Sequence, residues 1–249
     1  TALPLERHGF VLHKSAFRDA IHLRYNWRPN NLPLHCVCGQ QFGIDHALSC
    51  PTGGFPSVRH NEVRDVTARL LRLVCRDVTT EPTLQPLDGE ALIGRCCNRA
   101  DEARLDISAS GFWGGRFEKA FFDVRVFNPN APSSRSLPLP SAYRVQEQQK
   151  RRQYQQRVLQ VERASFTPLV LSTAAGMAPS ASTFYKRLAS LLAEKWSQPY
   201  SLTVAWLRTV LNFALLRSAT MCLRGNRSRQ PSILPPEAPM DLVAAEARL

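Results

Sequence analysis

Apolar residues recur along this chain with two different periods, and the points where the period changes mark its elements. Over residues 14–26, Phe17, Ile21 and Tyr25 fall four apart with Ala20 and Leu23 beside them, which predicts an amphipathic helix. Arg28-Pro29-Asn30-Asn31 and Pro33 end it. A loop follows over Pro51–Pro56. Then Val63, Val66, Leu70, Leu71 and Val74 keep a 3.6-residue period, predicting a long helix from residues 57–60 through Cys75. The period then shortens. Residues 77–84 are β-branched up to Pro82 and read as a strand, residues 103–109 alternate, and residues 119–127 form the clearest strand in the chain. Asp123 and Arg125 share one face of that last strand, because residues two apart do. Between them, residues 85–101 have no period and read as a loop, with a turn over 111–116.

The second half continues with a Pro/Ser-rich loop over 128–140, a strongly charged helix over 143–163, and an apolar strand over 166–173. Two further helices are predicted over 180–196 and 200–223. A flexible tail follows over 225–249, with a short last helix over 241–249. The central order is helix, strand, strand, strand, helix, strand. It predicts an α/β fold with a mixed sheet and at least one helix packed on it.

Charge narrows the partners. The chain has 32 Lys and Arg against 20 Asp and Glu, a net +12, which points either to a polyanion such as nucleic acid or an anionic membrane surface, or to an ordinary basic soluble protein. The run 204–223 is apolar for about 20 residues, a membrane-spanning length. It contains Arg208, Asn212 and Arg217, so it reads as a buried helix of a protein with no membrane partner. No signal peptide is visible. The chain opens on Thr1 rather than Met, so it reads as a piece of a longer polyprotein or as a chain trimmed at its start.

Seven cysteines make an odd number, and three of them cluster with a histidine, which argues for a reducing compartment rather than a disulfide framework. Cys96 and Cys97 are adjacent and cannot easily pair with each other, and Cys75 and Cys222 read as buried thiols. Cys36, Cys38, His46 and Cys50 place four ligands within fifteen residues, as Cys-x-Cys-x7-His-x3-Cys. Thiolate and imidazole ligands at this spacing favour a closed, structural, tetrahedral zinc site. Gly39 can supply the turn after the first pair, and His46 and Cys50 project from one helical turn. His35 and His60 are spare candidates. The first spacing is one residue shorter than the commoner Cys-x2-Cys, and the alternative is three buried thiols beside a surface histidine.

Acidic residues within apolar strands are the second chemical signal. Asp106 and Asp123 each fall within a strand pattern, where an unpaired carboxylate is costly to bury. Two such residues on neighbouring strands are what Mg²⁺-dependent phosphodiester hydrolysis requires, together with a nearby cation. The simpler alternative is one salt bridge, for instance Asp106 with Arg125. Lys150 and Tyr154 are four apart on the charged helix and share a face, where Lys150 could equally be a solvated lysine. Glu62 could supply a third carboxylate or be an ordinary first-turn glutamate.

These motifs occur in a recognisable order: Cys36 to Cys50, Arg59-His60-Asn61, Glu81-Pro82, Leu105-Asp106-Ile107, Asp123-Val124, then Lys150 with Tyr154. Taken together they resemble the C-terminal part of site-specific non-LTR retrotransposon proteins, where a zinc knuckle precedes a restriction-like endonuclease of the PD-(D/E)xK superfamily. The resemblance covers residues 30 to 165. It implies a restriction-endonuclease-like mixed sheet in αβββαβ order with extra C-terminal helices. Residues 1–56 would be the N-terminal helix and CCHC zinc knuckle, and 57–224 the core. Asp106 and Asp123 would stand at the two acidic positions and bind Mg²⁺. Lys150 and Tyr154 would match a lysine displaced onto the following helix, and Glu62 a first-helix acid.

Several positions depart from the family pattern. Leu105 replaces the usual proline and Arg104 the usual lysine, Arg125 stands where many members carry a lysine, the knuckle is shorter, and residues 85–101 resemble an insertion.

The function so implied is a nuclear, metal-dependent DNA endonuclease that nicks target DNA for target-primed reverse transcription. It would work with DNA, with element RNA, and with an upstream reverse transcriptase region of the same polyprotein. Arg59, His60, Arg125, Arg151 and Arg152 are the expected nucleic-acid contacts. The rival reading is a catalytically inactive zinc-containing module that binds nucleic acid. A helical C-terminal half that binds a protein partner, through Trp196, Trp206 and the apolar stripe after Leu202, ranks third.

Overall fold

The computed structural model describes residues 10–85, 104–225 and 227. The elements are α1 (Lys14–Arg24), α2 (Ile44–Ser49), α3 (Phe55–Arg72), β1 (Arg76–Thr80), β2 (Ile107–Ser110), β3 (Lys119–Phe127), α4 (Leu139–Gln160), β4 (Ser165–Ser172), α5 (Pro179–Trp196) and α6 (Tyr200–Arg224). This is a mixed α/β fold. Its one sheet has the order β1-β2-β3-β4, antiparallel between the first three strands and parallel between β3 and β4. The parallel step needs a crossover, and α4 supplies it.

The chain divides into two compact units. One comprises residues 1–59 with 208–249, and the other residues 60–207. The second holds the sheet. There α4 runs along the face of β3 that carries alternate residues Phe121, Asp123, Arg125 and Phe127. Phe127 meets Ala142 and Tyr143 near the start of α4, and Phe121 meets Tyr154 and Val158 near its end. Helix and strand are thus aligned along their lengths, which brings the middle of α4 to Asp123. On the other face of β3, Phe122 meets Phe112 and Phe184 of α5 at ring separations of 5.4 and 4.9 Å. Thr67 of α3 is hydrogen-bonded to Tyr185 of α5 at 2.8 Å. Fully burying side chains such as these phenylalanines is worth roughly 1.5–3 kcal/mol each.

In the other unit, α1 buries the side of its circumference opposite to the one its pattern predicts. Phe17 and Tyr25 are exposed, while Asp19 is buried and held by two bonds from Arg224, at 2.6 and 2.7 Å. Leu23 packs inward on the clusters around Cys36 and Phe55.

Other expectations shift at their edges. Asp106 lies one residue before β2 rather than within it, and its carbonyl accepts from Glu81 N at 2.8 Å. Cys75 follows α3 and is half-buried rather than enclosed, although burial still pushes its thiol up to about 11. Helix α4 starts at Leu139, four residues ahead of the predicted start, with Pro140 in its first turn where a missing N–H costs nothing. Residues 86–103, which include Cys96 and Cys97, lie outside the described residues. So does the predicted tail apart from Gly225 and Arg227. Arg227 is buried, with its guanidinium 5.2 Å from the Phe42 ring and 4.6 Å from that of Phe55. No described helix is long and apolar enough to cross a membrane.

Candidate functional site

Two clusters of reactive side chains form, one in each unit. The first is built locally. Residues 35–41 close a tight hairpin, with Cys36 N donating to Gln40 O and Gly39 N to Cys36 O. Gly39 takes a φ of +89°, the conformation that favours glycine there. The hairpin carries Cys36 and Cys38, while α2 carries His46 and ends on Cys50. The four ligand atoms lie within 4.8 Å of one another. Cys36 Sγ and Cys50 Sγ are 3.9 Å apart, too far for a disulfide, and Cys38 Sγ is 3.4 Å from His46 Nε2.

A tetrahedral zinc ion with ordinary bond lengths separates two sulfurs by about 3.8 Å, and a sulfur and a nitrogen by about 3.6 Å. The observed spacings match both, so the cluster can hold a metal such as zinc. Burial, then the positive charge of Arg227, lowers the His46 pKa and keeps the imidazole in its neutral, ligating form.

Arginines brace this cluster from behind. Arg59 Nη1 donates to Leu48 O at 2.8 Å, and Arg227 Nη2 donates to Ala47 O at 2.9 Å. Both acceptors are carbonyls in the last turn of α2, where the helix dipole favours positive charge. Arg59 was expected to contact nucleic acid. Its 3 % exposure corrects that role, because the guanidinium is turned into the unit and cannot reach a phosphate from there. Arg227 was missed because nothing in a Pro/Ser/Arg-rich stretch signals a buried guanidinium.

The second cluster is assembled from distant segments. The antiparallel register pairs Ile107 with Phe122, so one step further it sets Asp106 opposite Asp123, on the same face. Asp106 Oδ2 accepts from Val124 N at 2.6 Å, and its Oδ1 lies 2.9 Å from His60 Nε2. Lys150 Nζ on α4 stands 2.9 Å from Asp123 Oδ2 and 5.4 Å from the Tyr154 ring centroid. The Asp106 partners are therefore His60 and the Val124 amide rather than Arg125. His60, expected as a nucleic-acid contact, is engaged by a site carboxylate.

Asp123 is 3 % exposed, and its pKa is pushed up to about 6. Burial is the main cause and the Asp106 charge adds to it, while Lys150 and His60 pull the other way. Its buried Oδ2 faces the Lys150 ammonium in a close ion pair.

Beside this cluster, Arg64 and Arg104 both pair with Glu81, which takes a φ of +53°. Glu62 is half-buried on α3. It lies two residues beyond His60 on the same helix. Arg125 is half-buried, Arg151 donates to Ser180 Oγ at 2.9 Å, and Arg152 is exposed.

No family model matches the chain, and no curated protein matches it.

Proposed function

We propose that the chain is the restriction-like endonuclease region of a retrotransposon-derived protein, cutting one strand of DNA with the help of a divalent metal. The observation that carries this reading is the convergence of Asp106, Asp123 and Lys150 at the meeting of β2, β3 and α4. The order α3-β1-β2-β3-α4-β4 supports a restriction-endonuclease-like core, and the zinc-competent cluster ahead of it supports a knuckle.

The residues fit a magnesium ion on one particular point. Asp123 and Asp106 stand opposite each other across neighbouring strands, so their carboxylates lie on one face. Magnesium is commonly held by one or two carboxylates plus water and phosphate, so two acids suffice. When bound, the ion would polarise the phosphate and lower the pKa of a coordinated water.

The chain's own residues do the rest. Lys150 lies where its charge can stabilise a phosphorane-like transition state, since it is held by Asp123 and by the face of Tyr154. The Val124 N–H and His60 fix the orientation of the Asp106 carboxylate. Arg125, Arg151 and Arg152 are left as candidates for backbone contacts. DNA and element RNA as partners, an upstream reverse transcriptase region and a nuclear location belong to this same proposal.

The test is a plasmid-nicking assay with Mg²⁺. Asp106→Ala and Asp123→Ala should each lower the nicking rate by at least about 10³, since several kcal/mol of transition-state stabilisation are lost. Lys150→Ala should cost on the order of 10² to 10³. Variants as active as the parent would sink the assignment. A parent that binds DNA but never nicks it would favour the inactive zinc-containing binding module instead.

A further inference from the structure

We propose that the exposed face of α1 and the turn after it form a second nucleic-acid surface, one that binds single-stranded DNA by stacking its bases on Tyr25 and Trp27. The proposal rests on the nuclease reading only for its choice of DNA. The surface belongs to the unit that carries the Cys/His cluster, whereas Asp106 and Asp123 belong to the other unit.

The aromatic pair is held ready. α1 ends in a Schellman-type turn: Asn26, at a φ of +54°, donates to Leu23 O at 3.3 Å, and Trp27 N donates to His22 O at 2.8 Å. This reversal brings Trp27 back beside Tyr25, with ring centroids 5.0 Å apart and planes 25° from parallel. His22 closes on the Trp27 ring at 6.0 Å, edge to face. Both rings of the stacked pair are 56 % exposed. Two large rings left in water yet fixed in position form a platform that base faces of any sequence can extend.

The charges around it select the occupant. On a helical wheel Lys14, Phe17, Arg18, Ile21, Arg24 and Tyr25 fall within about 120° of the α1 circumference. Lys14, Arg18 and Arg24 are exposed, as is Arg28 just beyond Trp27. Over residues 10–43 the one acid is Asp19, which is 3 % exposed and neutralised by Arg224. A cavity of about 320 Å³ beside it is lined by Ser15, Arg18, Asp19, Asn30, Asn31 and Arg224, with the Asp19 carboxylate held by Arg224. Basic side chains interleaved with exposed aromatics suit a flexible polyanion with free base faces. In a duplex those faces are stacked away. A protein partner would need acids to match the four cations and apolar surface to match the rings. Nothing on this face selects for that combination.

The test measures binding of the full chain to a fluorescein-labelled thymidine oligonucleotide of about 20 nucleotides. A duplex and an RNA of matched length are run in parallel, without added magnesium or chelator. Tyr25→Ala/Trp27→Ala should weaken single-strand binding by about 10-fold or more. Duplex affinity should change much less. Phe117→Ala, which removes another exposed ring, should match the parent. Trp27→Phe should keep most of the affinity and lose the tryptophan quenching that accompanies binding, separating a stacking role from a folding defect.

Unchanged single-strand affinity in the double variant overturns the proposal, as does an equal loss on duplex, or a tenfold preference for RNA over DNA. If Asp106→Ala still nicks DNA, the nuclease assignment fails, yet this binding comparison reads out as before.

Discussion

The Cys/His cluster and the Asp/Lys/His cluster are both compact groups of ligating side chains, but they are built and balanced in opposite ways. The first draws its four ligand residues from fifteen consecutive positions, and their ligand atoms are close enough together to hold a metal ion. The second joins residues 46 apart between His60 and Asp106, and 18 apart between Asp106 and Val124. It buries a carboxylate, Asp123, whose pKa is driven up to about 6. With a metal bound, the first would be a staple that lowers the free energy of the fold. The other concentrates charge at a cost to it, which is a common feature of sites kept for chemistry.

The largest effect that separates them is metal removal. Zinc bound to a small Cys/His module contributes on the order of 10–16 kcal/mol to its folding. Cys50→Ser, or a strong chelator, should abolish hydrogen-exchange protection across Cys36 to Ser49. Asp106→Ala should leave that protection intact. Protection surviving in the Cys50 variant would mean the four side chains are held by apolar packing and that the metal is incidental.

This contrast also sets what the sequence could reveal. The ligand spacing is local, so Cys36, Cys38, His46 and Cys50 were legible directly, down to the helical turn that carries the last two. Strand β3 was legible with its bounds, because Lys119–Phe127 alternates and is β-branched and aromatic. That Asp106 stands opposite Asp123 depends on a register, which a strand pattern does not encode by itself. Helix α1 turns inward the face opposite to the one its pattern predicts, for a physical reason. Aromatic residues four apart look like a core stripe, and Asp19 looks like a surface acid until Arg224, 205 residues away, is seen to neutralise it. Arg59 carried the same ambiguity, because a guanidinium beside a histidine reads alike whether it meets phosphate or a helix carbonyl.

A smaller effect tests the balance of the second cluster. The folded Asp123 titrates near 6 and the unfolded residue near 3.9, so the folded state favours the protonated acid. Its contribution to stability is fully present below the unfolded value, is lost as pH rises through about 6, and by neutral pH costs about 2–3 kcal/mol. A divalent ion binds the ionised form. Magnesium binding near pH 5.5 should therefore release most of one proton from Asp123, and near pH 8 almost none. Calorimetry in two buffers of different ionisation enthalpy measures the difference. Asp123→Asn should remove the release at the lower pH. Equal release at both pH values would detach the ion from this carboxylate.

The finest test compares two arginines that the sequence placed in one class. Arg59 is buried against the Leu48 carbonyl, whereas Arg152 is exposed on α4. Arg59→Met removes a charged donor from a buried carbonyl and should destabilise the protein by about 1–3 kcal/mol in urea titration. Because that carbonyl belongs to the helix carrying His46, zinc affinity should also fall, by about 10- to 100-fold, as it does when outer partners of metal ligands are lost. Arg152→Ala should leave stability within about 0.5 kcal/mol. If Arg152 touches a phosphate, the slope of log affinity for DNA against log salt should flatten by about one unit. The reverse pattern, with a flattened slope for Arg59 and a stability loss for Arg152, would require the Arg59 guanidinium to leave its buried position and reach the duplex. That in turn would leave the Leu48 carbonyl without its charged donor. The two variants therefore separate an arginine that braces the Cys/His cluster from one that is exposed on α4 and, in the proposed function, would meet nucleic acid.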